Sequence, residues 1–477
     1  MYDYLNYIGG KWTGEGLEKI IVKNPATGEK VGTVPIAGEK ETEQAIEAAH
    51  QAFADWSKRT AEERGNILKR FFELMLEYED ELAKLMTEEN GKPYKEAMGE
   101  VRYAASFVEW FAEEGKRIYG RIVPGKSENH RIRVIKQPVG VVGAITPWNF
   151  PAAMITRKLA PALAAGCTFI VKPPEQTPLT AMRLAELAEQ AGIPEGVFNV
   201  VCGNPEAISK AFMKDSRVRK ITFTGSTEVG RLLMKQGAEQ IKKMSLELGG
   251  HAPVIICDDA DLNKAVDMAI ASKFRNSGQT CVCANRFYVQ SGIYEAFVDR
   301  FSKKVAQLKL GNGLEEGVEV GPLIDQSGYE KVERQVKEAI EKGATCVVGG
   351  KGIADDEKET YFFEPTVLAG VTADMEVMHI ETFGPVAPIQ KYETDEEAIR
   401  LANDTPFGLA AYVFTENVSR GTRLTEALDY GIVGWNDGVP STAQAPFGGT
   451  KQSGLGREGG IEGIEEYLEV KYISLSI

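Results

Sequence analysis

Histidine is scarce in this chain, four in 477 residues, and cysteine hardly less so, with six. A zinc site needs about four ligands, usually in paired spacings. His50, His130, His251 and His379 lie far apart, and only Cys281 and Cys283 sit close together, so no metal site is expected. No apolar run approaches the roughly 18 residues that a membrane helix requires. The opening MYDYLNYIGGKW has no basic stretch followed by an apolar core, so no secretory signal is expected either. Positive charge is in deficit: 55 Lys and Arg against 69 Asp and Glu give a formal net charge of -14. That disfavours a nucleic-acid partner, which demands a basic face. It does not disfavour a small anionic ligand, because a local pocket can oppose the global sign. Cys167 and Cys257 fall in the apolar runs AAGCTFIV and VIIC. Free buried thiols in a reducing compartment, the cytoplasm, are the expected state.

The length is too great for one core, so two or three domains are expected. Residues 41–115 read as helices: Ile46, Ala49, Phe53 and Trp56 recur at helical spacing, and Thr60 with Glu63 forms a capping-box pattern. Gly91 and Pro93 then stop the helical region. From 139 the pattern changes to short β-branched runs, PVGVVGAI, CTFIVKP, VFNVVCG and KITFTGS. Helical segments lie between them near 154–165, 178–191 and 205–214, the second with Thr177 as its N-cap and Gly192 just past its end. Strands alternating with helices predict an α/β fold with a doubly wound parallel sheet, which binds nucleotides at the carboxyl ends of its strands. A second α/β series from about 252 offers APVIIC, NRFYVQ, ATCVVGG, APIQKY, LAAYVFT and GIVGWN as strands. The polar, alternating stretch 119–138 suggests a β-hairpin arm.

Three short stretches carry chemistry. In GQTC a glycine-led loop puts Cys281 at the start of an element, where free backbone N–H groups would lower the thiol pKa and donate to an oxyanion. A buried structural thiol is the commoner role for a cysteine, but the polar neighbours Asn276, Ser277 and Gln279 weaken it. In PWNFP, directly after an apolar strand, the Asn149 amide could donate to the same oxyanion, or simply serve a turn between two prolines. In SLELGGHAP, burial of Glu247 would raise its pKa and make it a general base; otherwise it is an exposed strand residue.

Together PWNFP, KPPEQTP, FTGSTEVG, LELGG, GQTC, ETFGPV and PFGGTKQSGLGREGG resemble the aldehyde dehydrogenase superfamily, in the family's order from 147 to 459. The resemblance implies that Cys281 attacks an aldehyde, that Asn149 and the Cys281 N–H hold the oxyanion, and that Glu247 activates the water that hydrolyses the thioester. GSTEVG, Gly225 to Gly230, follows a strand and opens a helix, where glycine allows close approach and the helix N-terminus favours phosphate; the resemblance implies that Trp148 and Ser226 also line the cofactor and that Glu381 and Phe383 hold the nicotinamide ribose and ring. Lys172 would contact the adenosine ribose. Glu175 would accept from the ribose 2′-hydroxyl and repel a 2′-phosphate, so NAD is expected rather than NADP. Three parts follow: a cofactor domain of 1–118 and 139–247, a catalytic domain of 248–449, and an oligomerisation arm of 119–138 and 450–477, in a homodimer or homotetramer. A cysteine hydrolase without nicotinamide would leave KPPEQTP, FTGSTEVG and ETFGPV unexplained; a non-catalytic relative could have lost Cys281, Glu247 or Asn149, and all three are present.

Arg157 and Arg275 stand where members acting on neutral aldehydes often have apolar or aromatic residues. A pair of arginines would clamp a substrate carboxylate, with Ser441 adding a hydroxyl. This set resembles the succinate-semialdehyde branch of the family; glutarate semialdehyde or an oxo-dicarboxylate semialdehyde would satisfy the same clamp. In some members of that branch the residue at Cys283 forms a reversible disulfide with the nucleophile; passive packing of Cys283 behind the site is the alternative.

Overall fold

The β-branched runs after residue 139 assemble into one parallel sheet. In this computed structural model, which describes residues 1–477, Val141–Ile145, Thr168–Lys172, Phe198–Val200, Val218–Thr224 and Lys243–Glu247 run parallel. Most of their residues are buried, as a sheet covered on both faces requires. Val141–Ile145 lies between Thr168–Lys172 and Val218–Thr224, so the strand order reverses beside it. Loops leaving the strands diverge at such a switch and open a crevice at the carboxyl ends. The loop 146–152 and the turn 225–226 flank that crevice.

The helices Ala153–Ala165, Leu179–Gln190 and Pro205–Lys214 fall where expected. Thr177 does not cap the second. Pro178 already has helical dihedrals, and the Thr177 hydroxyl donates instead to the Trp148 carbonyl at 3.3 Å. The buried Glu89 carboxylate caps that helix, accepting from the Leu179 and Thr180 N–H groups at 2.8 and 3.0 Å. Upstream, the capping box of Thr60 and Glu63 is present, and Gly91 ends the helix Glu79–Asn90 in the left-handed conformation at φ 87°.

All six runs of the second series join one seven-stranded sheet, completed by Thr366–Ala369. A third, antiparallel sheet is the arm: Arg121–Pro124, His130–Pro138 and Leu468–Ser476, the last two paired from Leu468 with Pro138 to Ser476 with His130. The expected arm extended back to 450, and there the structure differs. Gly454–Leu455 pairs with Leu246 and Glu247 at the edge of the first sheet. Gly454 permits this at φ 146°, where any side chain would strike the Leu246 carbonyl. The first 35 residues, for which no strand is expected, supply Asn6–Ile8 and Lys11–Thr13 to the opposite edge of that sheet and a small sheet of their own.

Candidate active site

Cys281 stands where two cavities meet. On one side it lines a cavity of about 400 Å³ with Trp148, Asn149, Gly225, Ser226, Glu381 and Phe383. On the other it lines a throat of only about 20 Å³ with Arg157, Arg275, Ser441, Tyr103 and Phe447. Tyr103, Arg275 and Ser441 continue into a vestibule of about 280 Å³.

The segment before Cys281 is held in an uncommon conformation. Asn276 and Ser277 have φ of 49° and 57°, and Gly278 follows at 76°. Two consecutive non-glycine residues in this region cost on the order of 1–3 kcal/mol each. Surrounding groups impose it. The Glu96 carboxylate accepts from the Asn276 N–H at 2.7 Å, and the Ser277 hydroxyl donates to the Gly321 carbonyl at 2.9 Å. Gln279 accepts from the Ile324 N–H at 3.0 Å and donates to the Asn276 carbonyl at 3.1 Å. Gly250 lies so close on the other side that a β-carbon would strike the Cys281 carbonyl.

Asn149 is fixed from the same loop. Its carbonyl accepts from Lys92 Nζ at 2.7 Å and from the Asn276 amide at 2.8 Å. Its own side-chain amide donates one hydrogen to the Gln279 carbonyl at 3.1 Å. The second hydrogen is left for a ligand in the cavity that Asn149 lines with Cys281. Lys92 also pairs with the buried Glu100, whose other oxygen accepts from the Ala152 and Ala153 N–H groups. Lys92, Glu96, Glu100 and Gln279 escape prediction because each acts through the backbone of a residue distant in sequence.

Burial pushes the Cys281 thiol up, to about 12, against the opposing Arg157. The expectation of a lowered pKa therefore fails for the free enzyme. Cys281 precedes a strand rather than a helix, so no helix dipole offsets its desolvation. Glu247 ends the strand Lys243–Glu247 and is buried, with Oε2 lacking any partner. Burial and then the neighbouring Glu458 hold its carboxyl well above the usual range. The direction of this shift is the one expected from burial of Glu247.

The arginines do not form a symmetric clamp. Arg157 is 2% exposed, stacks 3.8 Å over the Phe447 ring and places Nη2 2.7 Å from Glu458 Oε2. Glu458 also takes Lys158 at 2.5 Å, and Lys158 in turn reaches the Thr224 hydroxyl at 2.5 Å. Burial pushes the Glu458 carboxyl up, but Lys158 and Arg157 hold it below the usual value. Arg275 is half-buried and has no carboxylate within ion-pair distance; its guanidinium sits 5.3 Å over Phe150. The Tyr103 hydroxyl, absent from the sequence reading, is buried beside both arginines without a hydrogen-bond partner. Glu458 was also missed; a lone carboxylate flanked by glycines in REGG is the only signal it leaves.

The larger cavity meets a second cleft of about 560 Å³ at Ile324 and Asp325, and Glu175 lines that cleft. Ser226 caps the helix Thr227–Gly237, accepting from the Val229 N–H at 3.3 Å. Phe383, at φ 52°, meets Trp148 edge-on at 5.6 Å, and Glu381 accepts from the Gly250 N–H at 3.0 Å. Burial brings Glu381 up to about 7. Gly230 does not line the cavity. It lies one turn inside the helix, where a β-carbon would meet Leu248 at 2.5 Å, so its requirement is packing. Lys172 is buried with Nζ 2.8 Å from Glu175 Oε1. Cys283 is buried behind the nucleophile. An elongated ligand that carries an anion fits this donor set: a cleft in two lobes, a helix N-terminus at Ser226 lining the lobe that holds Cys281, the Trp148 and Phe383 rings in the same lobe, and the Glu175 carboxylate in the other.

The chain is similar to known proteins in sequence and in fold. The model of the aldehyde dehydrogenase family matches residues 12–473. The chain is 56% identical over 471 residues to the NADP(+)-linked succinate-semialdehyde dehydrogenase GabD of Escherichia coli K12, covering 98% of this chain and 97% of that one. It is 56% identical over 472 residues to the glutarate-semialdehyde dehydrogenase of Pseudomonas putida, covering 99% and 97%. The crystal structure of succinate-semialdehyde dehydrogenase from Burkholderia pseudomallei superposes with a TM-score of 0.98 at 53% identity, covering 100% of this chain and 98% of that one. The chain belongs to the aldehyde dehydrogenase family.

Proposed function

We propose that the protein oxidises a short aldehyde bearing a distal carboxylate, succinate semialdehyde foremost, to the dicarboxylic acid, with NAD as acceptor. The observation that carries this is the position of Cys281 between a dinucleotide-sized cleft and a narrow throat ending at an unpaired arginine. Relatives named for succinate and for glutarate semialdehyde are equally similar. The four-carbon substrate is placed foremost because most of the semialdehyde relatives are named for it.

In this mechanism the Cys281 sulfur adds to the aldehyde carbon, its proton passing to the nearby Glu247 carboxylate, which returns it to solvent before the hydrolytic step. The free hydrogen of the Asn149 amide and the Cys281 N–H stabilise the resulting oxyanion. Trp148, Ser226, Glu381 and Phe383 would hold a dinucleotide, which would supply the hydride acceptor; Cys281 carries the acyl group as a thioester. Glu247 then takes a proton from the water that attacks the thioester carbon, releasing the acid and the thiolate. Because burial opposes ionisation of the Cys281 thiol, substrate and cofactor binding complete its activation. Arg275, Ser441 and Tyr103 face the substrate's far end, while Arg157 sets the floor with its charge shared with Glu458.

Glu175 supports NAD over NADP. Its carboxylate faces the cleft and already engages Lys172, so a 2′-phosphate would meet a negative charge and no free lysine. The exposed apolar side chains Ile122, Val470 and Tyr472 on the arm fit a homodimer or homotetramer, and six free thiols fit a reducing cytoplasm. The test is steady-state kinetics with succinate semialdehyde and butanal, which share carbon count and differ in the carboxylate. Succinate semialdehyde should lead in kcat/KM by about 100-fold or more. Equal values would refute the carboxylate assignment.

A further inference from the structure

Cys283 presents its thiol to a lysine. Lys273 Nζ lies 3.4 Å from Cys283 Sγ, and the same sulfur lies 3.3 Å from the Lys273 carbonyl. Neither side chain is exposed to solvent. The other partner of the Lys273 nitrogen is the Asn285 side-chain oxygen at 2.9 Å. No carboxylate lies within ion-pair distance of it, which is unusual for a fully buried lysine. Burial lowers the Lys273 pKa, which favours the neutral amine, a nucleophile. The hydrogen-bond partners of the Cys283 sulfur are Lys273 and the Ala284 carbonyl, while Cys281 lines the two cavities as a free thiol.

We propose that Lys273 and Cys283 form a covalent redox pair: two-electron oxidation of Cys283 by a hydroperoxide is captured by the Lys273 amine as a sulfur–nitrogen bond, rather than by Cys281 as a disulfide. In the first step the Cys283 sulfur attacks the peroxide. The S–O bond forms, the O–O bond breaks, and the remaining peroxide oxygen leaves with the thiol proton, as water from hydrogen peroxide or as an alcohol from an organic hydroperoxide. In the second step the Lys273 nitrogen attacks the sulfenic sulfur. The S–N bond forms, and the hydroxyl departs as water with an amine proton. The cysteine sulfur is oxidised by two electrons, the peroxide is reduced, and the chain loses two hydrogens. Closing 3.4 Å to a covalent bond pulls on the turn that carries Cys281, since the Cys283 N–H donates to the Thr280 carbonyl at 3.0 Å. A displacement of about 1 Å in a reacting group costs about 100-fold in rate. The cross-link would therefore silence the enzyme while leaving the nucleophile a free thiol, restored when an external thiol attacks the sulfur.

Trypsin distinguishes the products. Cleavage after Lys273 and Arg275 normally releases 265–273 and 276–286 as separate peptides. Full-length enzyme treated with hydrogen peroxide, alkylated and digested should yield 265–275, uncut at Lys273, joined to 276–286 with two hydrogens missing and Cys281 alkylated. Activity should fall about 100-fold and return with dithiothreitol. Lys273→Met should abolish the joined peptide. Intact cleavage at Lys273 overturns the proposal, whether 276–286 then carries an internal disulfide, a sulfinic acid or no modification. This result is read from the wild-type chain and does not depend on which aldehyde is oxidised.

Discussion

Replacing Arg275 with methionine separates recognition from scaffold. The guanidinium is half-buried, stacks on Phe150 and has no carboxylate partner, so its removal strands no buried charge. Fold stability should stay within about 0.5 kcal/mol of wild type. The substrate carboxylate, however, loses a charge-assisted hydrogen bond worth about 1.5–3 kcal/mol. At about 1.4 kcal/mol per decade, kcat/KM for succinate semialdehyde should fall about 10- to 150-fold, mostly through KM. Butanal has nothing to offer that cation and should be oxidised as before. Arg157→Met should behave in the opposite way. It leaves Glu458 buried with Lys158 alone, and loss of one partner from such a network costs about 3–5 kcal/mol, visible as a large drop in the urea midpoint. The assay is initial NADH formation with both aldehydes, alongside urea unfolding of each variant. An equal loss for butanal in Arg275→Met, or a stable Arg157→Met enzyme, would refute the division of roles.

Other substitutions probe the remaining parts. Glu175→Ser should improve kcat/KM with NADP and weaken it with NAD, each by about 10-fold, as one negative charge is removed and Lys172 is freed; unchanged values with both cofactors would put the selectivity elsewhere. Gly250→Ala should abolish turnover by driving a methyl into the Cys281 carbonyl, whereas Gly230→Ala should cost about 1–3 kcal/mol of stability by crowding Leu248. Burial raises Glu96 to about 7 from an unfolded value of 4.5. The folded state thus favours the protonated form: this contribution is full below pH 4.5 and is lost as pH rises through 7. Glu96→Gln should flatten the urea midpoint against pH across that window, and an unchanged slope would show that Glu96 titrates normally.

Much of this architecture was legible in local pattern. Periodicity and β-branching located most strands of both sheets but not the short buried Asn6–Ile8 and Thr366–Ala369, and glycine and capping signals marked several helix ends. Lys243–Glu247 was harder because polar residues dilute its short run, and only its register beside Val218–Thr224 reveals it. The division at 450 misplaced Gly454–Leu455 because a two-residue edge strand held by one positive-φ glycine has no periodicity. At the site, motifs indicated which residues converge but not what their charges meet. Arg157 and Arg275 look alike in sequence; their difference is created by Glu458, some 300 positions away. The Cys281 pKa ran against expectation for the same reason, since local loop geometry does not report burial by the rest of the fold.

The central claim is that Cys281 carries the acyl group and Glu247 releases it. Glu247→Gln keeps the nucleophile and the oxyanion donors but cannot activate water. Mixed with NAD and succinate semialdehyde, it should release about one equivalent of NADH and stop. Mass spectrometry of the peptide 276–286 should then show a succinyl group on Cys281. Continued turnover without an adduct, or a burst whose acyl group sits on another residue, would contradict the account.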